Sequence, residues 1–85
     1  MGCSFLLLSC MVHKNIETAK LLRKLHGIRE AVPVYGTYDC VVKTEEMSSD
    51  DVLEFVSSSI RPLVNVDSVL TLYPVPQVAQ NPHVQ

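Results

Sequence analysis

The sequence predicts an α+β fold, a four-stranded antiparallel sheet with two helices on one face. Three observations carry this. The 85 residues, with a net charge of −2, suffice for one small domain. Their hydropathy patterns run strand, helix, strand, strand, helix, strand, and right-handed crossovers in two such halves place the third and first strands at the centre. Pro33 falls inside the second strand pattern. Proline cannot donate to a ladder, so that strand belongs at an edge, where the topology independently puts it.

Ser4 to Val12 reads as the first strand. Its Phe5-Leu6-Leu7-Leu8 run is apolar without alternation, the pattern of a strand covered on both faces. Asn15 is a good N-cap for a helix running to about His26. Ile16, Ala19, Leu22 and Leu25 form its buried stripe, with Leu21 at the edge, while Lys14, Lys20, Arg23 and Lys24 face water. Gly27 suits the residue that ends a helix, with Ile28 placed for the usual apolar contact. Arg29 to Tyr35 is the second strand. Gly36 turns the chain into the third, Tyr38 to Glu45, where Cys40, Val41 and Val42 suggest a central position. Ser48-Ser49-Asp50-Asp51 fits a capping box with an acidic first turn. Val52, Leu53, Val56 and Ile60 then recur at helical spacing until Pro62 stops the helix. Asn65 to Tyr73 is the fourth strand, with Val66, Val69, Leu70 and Leu72, ended by Pro74 and Pro76. The domain thus spans residues 1–74. The polar, proline-bearing tail 75–85 is expected to be mobile or draped on a neighbour.

A monomer of this size buries only about 60–65% of its unfolded surface, yet 47% of the residues are hydrophobic. Two helices cover one sheet face and leave apolar side chains of the first and fourth strands open on the other. An open apolar face of several hundred Å² is too much for a stable monomer, so a homodimer is expected, sheet against sheet. The mildly acidic chain has no basic stripe for phosphates, which argues against direct nucleic-acid binding. Cys3, Cys10 and Cys40 are an odd number without CxxC spacing, and His13, His26 and His83 stand far from them, so neither a metal nor a cofactor is expected. Small buried thiols in a reducing, cytoplasmic compartment are the plain reading. Leu7-Leu8-Ser9-Cys10 imitates a lipobox, but no Lys or Arg precedes the short apolar run, and the myristoylation pattern fails at Leu6. No stretch is long enough to span a membrane.

No catalytic constellation is evident. His26 sits where it can interact with the first helix's C-terminus. His13 follows a strand, where function often resides, but has no identifiable acid partner. Glu45 and Glu46 point to opposite faces of a strand, Ser57-Ser58-Ser59 lacks a nucleophile elbow, and no phosphate loop or dinucleotide fingerprint is present. What remains is the turn Tyr35-Gly36-Thr37-Tyr38-Asp39. Gly36 lets backbone approach a ligand closely, free backbone groups there can grip an amino acid's carboxylate and ammonium, and Asp39 can hold the ammonium directly. Ser68 and Thr71 offer short hydroxyls. The same residues also suit an ordinary hairpin with a capping acid and ordinary polar strand positions.

The stretch Ile28-Arg29-Glu30-Ala31, leading to Val34-Tyr35-Gly36-Thr37-Tyr38-Asp39-Cys40-Val41-Val42-Lys43, resembles the V-x-E-A … G-x-Y-D-hydrophobic-hydrophobic-hydrophobic-K pattern of the Lrp/AsnC transcription regulators. The pattern belongs to their C-terminal effector (RAM) domain, and Val66-Asp67-Ser68-Val69-Leu70-Thr71-Leu72 resembles that domain's last strand. The resemblance spans about Ser4 to Tyr73. It implies a ferredoxin-like fold in a dimeric α/β-barrel-type assembly, with dimers associating further, from tetramer to octamer. Amino acids or related small molecules would bind between dimers. By matching position, Gly36, Tyr38 and Asp39, with Thr37 between them, form the effector-contacting turn; Thr71 is a contacting hydroxyl and Ser68 a looser match. Regulators of this family carry an N-terminal helix-turn-helix domain, whereas this chain begins within a few residues of the first strand. The resemblance therefore implies a stand-alone form that senses an amino acid, or modulates full-length Lrp/AsnC regulators by mixed assembly. A non-catalytic sensing and oligomerisation module is the expected function. The alternative is a dimeric α/β-barrel enzyme, monooxygenase- or isomerase-like, acting on a small organic substrate in a cavity under the helices beside His13.

Overall fold

Alternate residues of a strand point to opposite faces, and that alternation decides which positions are buried. The computed structural model describes residues 2–75. Its elements are β1 (Phe5–Cys10), α1 (Asn15–Leu22), β2 (Ile28–Pro33), β3 (Cys40–Thr44), α2 (Ser49–Phe55), which continues as a π-helix over Val56–Ile60, and β4 (Val66–Leu72). The strands form one antiparallel sheet in the order β2-β3-β1-β4. As the sequence predicts, β3 and β1 are central, and Pro33 lies on an edge strand. The fold is ferredoxin-like. The tail expected over 75–85 lies, beyond Val75, outside the described residues.

The covered face holds Leu6, Leu8 and Cys10 of β1, Cys40 and Val42 of β3, and Ala31 of β2, all buried. Onto them pack Ala19 and Leu22 of α1, Val52 of α2, and Val56 and Ile60 of the π-helix. The opposite face is apolar too. Register lines up Val32, Val41, Leu7 and Leu70 in a row across all four strands, with Phe5 beside Leu72 in the next row. Val32 and Leu72 keep 47% of their surface exposed, Leu70 44% and Phe5 41%.

The first helix differs from its expected form. Asn15 is its first helical residue rather than its cap; Lys14 occupies the cap without a side-chain bond, and Asn15 Oδ1 accepts from the Ile16 amide at 2.9 Å. Starting at Asn15, the inward face is 15, 18, 19 and 22, the i, i+3, i+4, i+7 set. Thr18 is accordingly buried, while Ile16 is 59% and Leu21 41% exposed. The helix stops at Leu22 with Arg23 as its C-cap, short of the expected His26, so Gly27 does not end it; turns carry the chain on to Gly27, whose φ of +103° serves the reversal into β2. A Cβ at Gly27 would approach the Phe55 ring to 3.1 Å, so this connection also packs closely on α2.

The second helix starts as expected, with Ser48 Oγ accepting from the Asp51 amide at 3.1 Å. Val52, Val56 and Ile60 are buried, but Leu53 is 59% exposed. A spacing of four drifts by about 40° per step around an α-helix. The wider π turn, marked by the Arg61 amide donating to the Val56 carbonyl at 2.9 Å, offsets that drift and keeps Ile60 inward.

Candidate functional site

The β2–β3 loop is held at its base. The Val34 amide donates to the Asp39 carbonyl at 2.8 Å, closing the loop 35–38. The Val34 carbonyl accepts from Asn15 Nδ2 at 3.4 Å, which ties the loop to the first residue of α1. Within it, Gly36 has φ +131°, and a Cβ there would meet nothing within 4 Å. Backbone conformation, not crowding, therefore calls for glycine, and open space lies beside it. Tyr35, Gly36 and Thr37 are exposed; Tyr38 and Asp39 are half-buried.

Asp39 has a structural task. Its amide donates to the Leu8 carbonyl at 2.8 Å, and its Oδ2 accepts from the Cys10 amide at 2.8 Å. The last β1–β3 pair is Leu8 with Cys40, so this carboxylate satisfies a backbone donor just past the end of the ladder. Oδ1 takes no part in that bond.

The hydroxyl candidates lie elsewhere. Ser68 pairs with Ser9 and is exposed on the open face. Thr71 pairs with Leu6 and is half-buried on the helix-covered side. Three residues apart on one strand, they occupy opposite faces. β1 separates β4 from β3, which puts Ser68 and Thr71 two strand spacings, roughly 10 Å, from the start of β3. One chain brings Gly36, Thr37, Tyr38 and Asp39 together; it does not bring Ser68 and Thr71 to them.

His13 is exposed in the turn after β1, with φ 64°. The space between helices and sheet is filled by Leu6, Leu8, Leu22, Val42, Val52 and Ile60, each fully buried. An open groove lies instead at the far end of α1, lined by Arg23, Lys24, His26 and Glu45 among others. There Arg29 Nε and Nη2 donate to Glu45 Oε1 at 3.2 and 3.0 Å, and that bond, with Cys3 nearby, raises the Arg29 pKa above its ordinary value. No group of three metal-ligating side chains and no helix long and apolar enough to cross a membrane occurs among the described residues.

Sequence reasoning missed one cluster. The Cys10 and Cys40 sulfurs lie 3.9 Å apart in the core, and Cys40 Sγ donates to the Asn15 carbonyl at 3.3 Å. Burial, then the neighbouring Cys10 and Asp39, push the Cys40 thiol up to about 12. Only the β1–β3 register reveals this pair.

No family model matches the chain, and a search of curated proteins finds no match. Solved structures do match. FFRP-DM1 is 28% identical with a TM-score of 0.79, over 88% of this chain and 100% of that one. E. coli AsnC is 20% identical with a TM-score of 0.77, over 98% of this chain and 54% of that one. The transcriptional regulator NMB0573 of Neisseria meningitidis, solved as a complex with L-Met, is 12% identical with a TM-score of 0.72, over 98% and 55%. The structural neighbours thus include Lrp/AsnC-family proteins. This chain corresponds to about half of each of the last two.

Proposed function

We propose that this chain is a non-catalytic sensing module related to the Lrp/AsnC regulators. It binds an amino acid or related small molecule at the turn 36–39 and self-associates through its open sheet face. The observation that carries this reading is the turn itself: a left-handed glycine beside open space, next to a carboxylate with one oxygen outside its structural bond. Asp39 Oδ1 takes the ligand ammonium in a charge-assisted bond, and the Gly36 backbone comes close to the ligand, flanked by Thr37 and Tyr38. Thr71 and Ser68 reach the ligand only from another copy, so dimers pair into tetramers or larger assemblies with ligand between them. The L-Met complex of NMB0573 supports the ligand class. Transcription is modulated through assembly with full-length Lrp/AsnC regulators, since the chain is mildly acidic, with a net charge of −2, and its sequence holds no basic stripe for phosphates. The filled helix–sheet interior weighs against a barrel-type enzyme with a cavity beside His13.

The test is a thermal-shift panel of the twenty amino acids, with solution mass recorded alongside. A ligand at about a hundred times its Kd adds roughly 2.7 kcal/mol. Asp39→Asn keeps an acceptor for the Cys10 amide while removing the charge. It is expected to melt close to wild type and lose the ligand shift. Asp39→Ala loses both functions and about 1.5 kcal/mol with the capping bond. An assembled oligomer that shifts with no amino acid, or Asp39→Asn binding as tightly as wild type, overturns the assignment.

A further inference from the structure

Cys10 and Cys40 are free, buried thiols on adjacent central strands, both directed to the helix-covered face. Leu8 pairs with Cys40, so Cys10, two residues on, is Cys40's diagonal neighbour on the same face, within side-chain reach. Their protons form a relay. Cys10 Sγ donates to Cys40 Sγ, and Cys40 Sγ donates to the Asn15 carbonyl. Asn15 in turn holds Val34 at the base of the loop 35–38. The dithiol therefore joins β1, β3, the first turn of α1 and the candidate ligand loop.

We propose that Cys10 and Cys40 are a reversible oxidation site, which a peroxide closes into an intrachain disulfide that loosens the first turn of α1 and the loop. Cys10 is the more accessible, 7% against 0%, and meets the oxidant first. Its sulfur takes one peroxide oxygen to give a sulfenic acid, and one water departs. The Cys40 sulfur then attacks the sulfenic sulfur; the S–S bond forms, the S–O bond breaks, and the hydroxyl leaves as a second water with the thiol proton. The two thiols lose two electrons in all, and the peroxide accepts them. Because Cys40 is held protonated, closure is slow near neutral pH, and the pair stays reduced unless the oxidant persists.

Closure removes both thiol protons, so the Asn15 carbonyl loses its sulfur donor. It also draws the sulfurs from 3.9 Å to about 2.05 Å. Diagonal strand neighbours have Cα atoms about 7–8 Å apart, beyond the usual disulfide range of about 4.4–6.8 Å. Closure therefore requires β1 and β3 to adjust at Cys10 and Cys40. None of this depends on what the loop binds.

The experiment uses the full chain with Cys3→Ser, which removes the remaining thiol. Hydrogen peroxide is followed by denaturing alkylation, intact mass, peptide mapping and amide exchange. The expected product is monomer-linked, lighter by two hydrogens, with Cys10 and Cys40 both protected, and dithiothreitol restores it. Exchange at Ile16 to Ala19 and at Val34 should rise several-fold. Cys10→Ser and Cys40→Ser in that background should each abolish the bridge. If a variant does not fold, the peptide map of the Cys3→Ser chain decides alone. Oxygen addition without a bridge, both thiols open to alkylation, or links only between chains would overturn the site. A bridge with unchanged exchange would overturn its coupling to the loop.

Discussion

Residues on the two faces of the one sheet meet opposite surroundings. Leu6, Leu8 and Val42 are fully buried under the helices, whereas Phe5, Leu70 and Leu72 on the other face stay 41–47% exposed. Composition hardly differs between the faces; cover does. α1 and α2 complete the first face from within the chain, and nothing among the described residues completes the second. The covered face therefore accounts for folding, and the proposed association falls to the open face.

The largest effect tests that division directly. Leu8→Ala opens a cavity in a filled core and should cost about 2–5 kcal/mol at any protein concentration. Leu70→Ala removes the same atoms from the open face. Denaturant titration should show it costing less, and only at concentrations where the protein associates. Equal, concentration-independent losses at both positions would erase the distinction between the faces.

A smaller effect comes from the two left-handed glycines. Both have positive φ, but only Gly27 also faces a close contact, with Phe55 at 3.1 Å. Gly36→Ala should cost about 1 kcal/mol for backbone strain alone, and Gly27→Ala more than that in the same melting experiment. The reverse order would mean that α2 does not bear on the turn that leads into β2.

A separate effect is set by pH. Cys40 is raised from 9.0 to about 12 in the fold, chiefly by burial. The folded state holds this proton more tightly than the unfolded one. Its contribution is therefore complete below pH 9 and lost as pH rises toward 12. Melting curves across that window should fall more steeply for wild type than for Cys40→Ala.

Much of the fold was legible because it rests on local signals that agree. Pro33 and the crossover rule both demand an edge, Ser48 caps its helix, and the unalternating apolar run of β1 announces a central strand that is apolar on both faces. The edge of the α1 stripe was not legible. Ala19 and Leu22 face inward as expected, but Ile16, about 100° around the helix from Asn15, falls outside the stripe and Thr18 falls inside. The turn at Gly36 could be found, but the inward bend of Asp39 to the Cys10 amide could not, since it depends on where β3 stops along β1. The Cys10–Cys40 contact was hidden for the same reason. The opposite facing of Ser68 and Thr71 was available from their odd spacing, and it is that spacing which makes a second copy necessary for a shared site.

Self-association through the open sheet face makes mass depend on that face, which light scattering across a concentration series reads for wild type and Leu70→Lys. Wild type should run at no less than twice the mass of one chain, and Leu70→Lys should fall to one chain mass with an unchanged far-ultraviolet spectrum. A wild-type protein at single-chain mass throughout the series, or a fully associated Leu70→Lys, would contradict it.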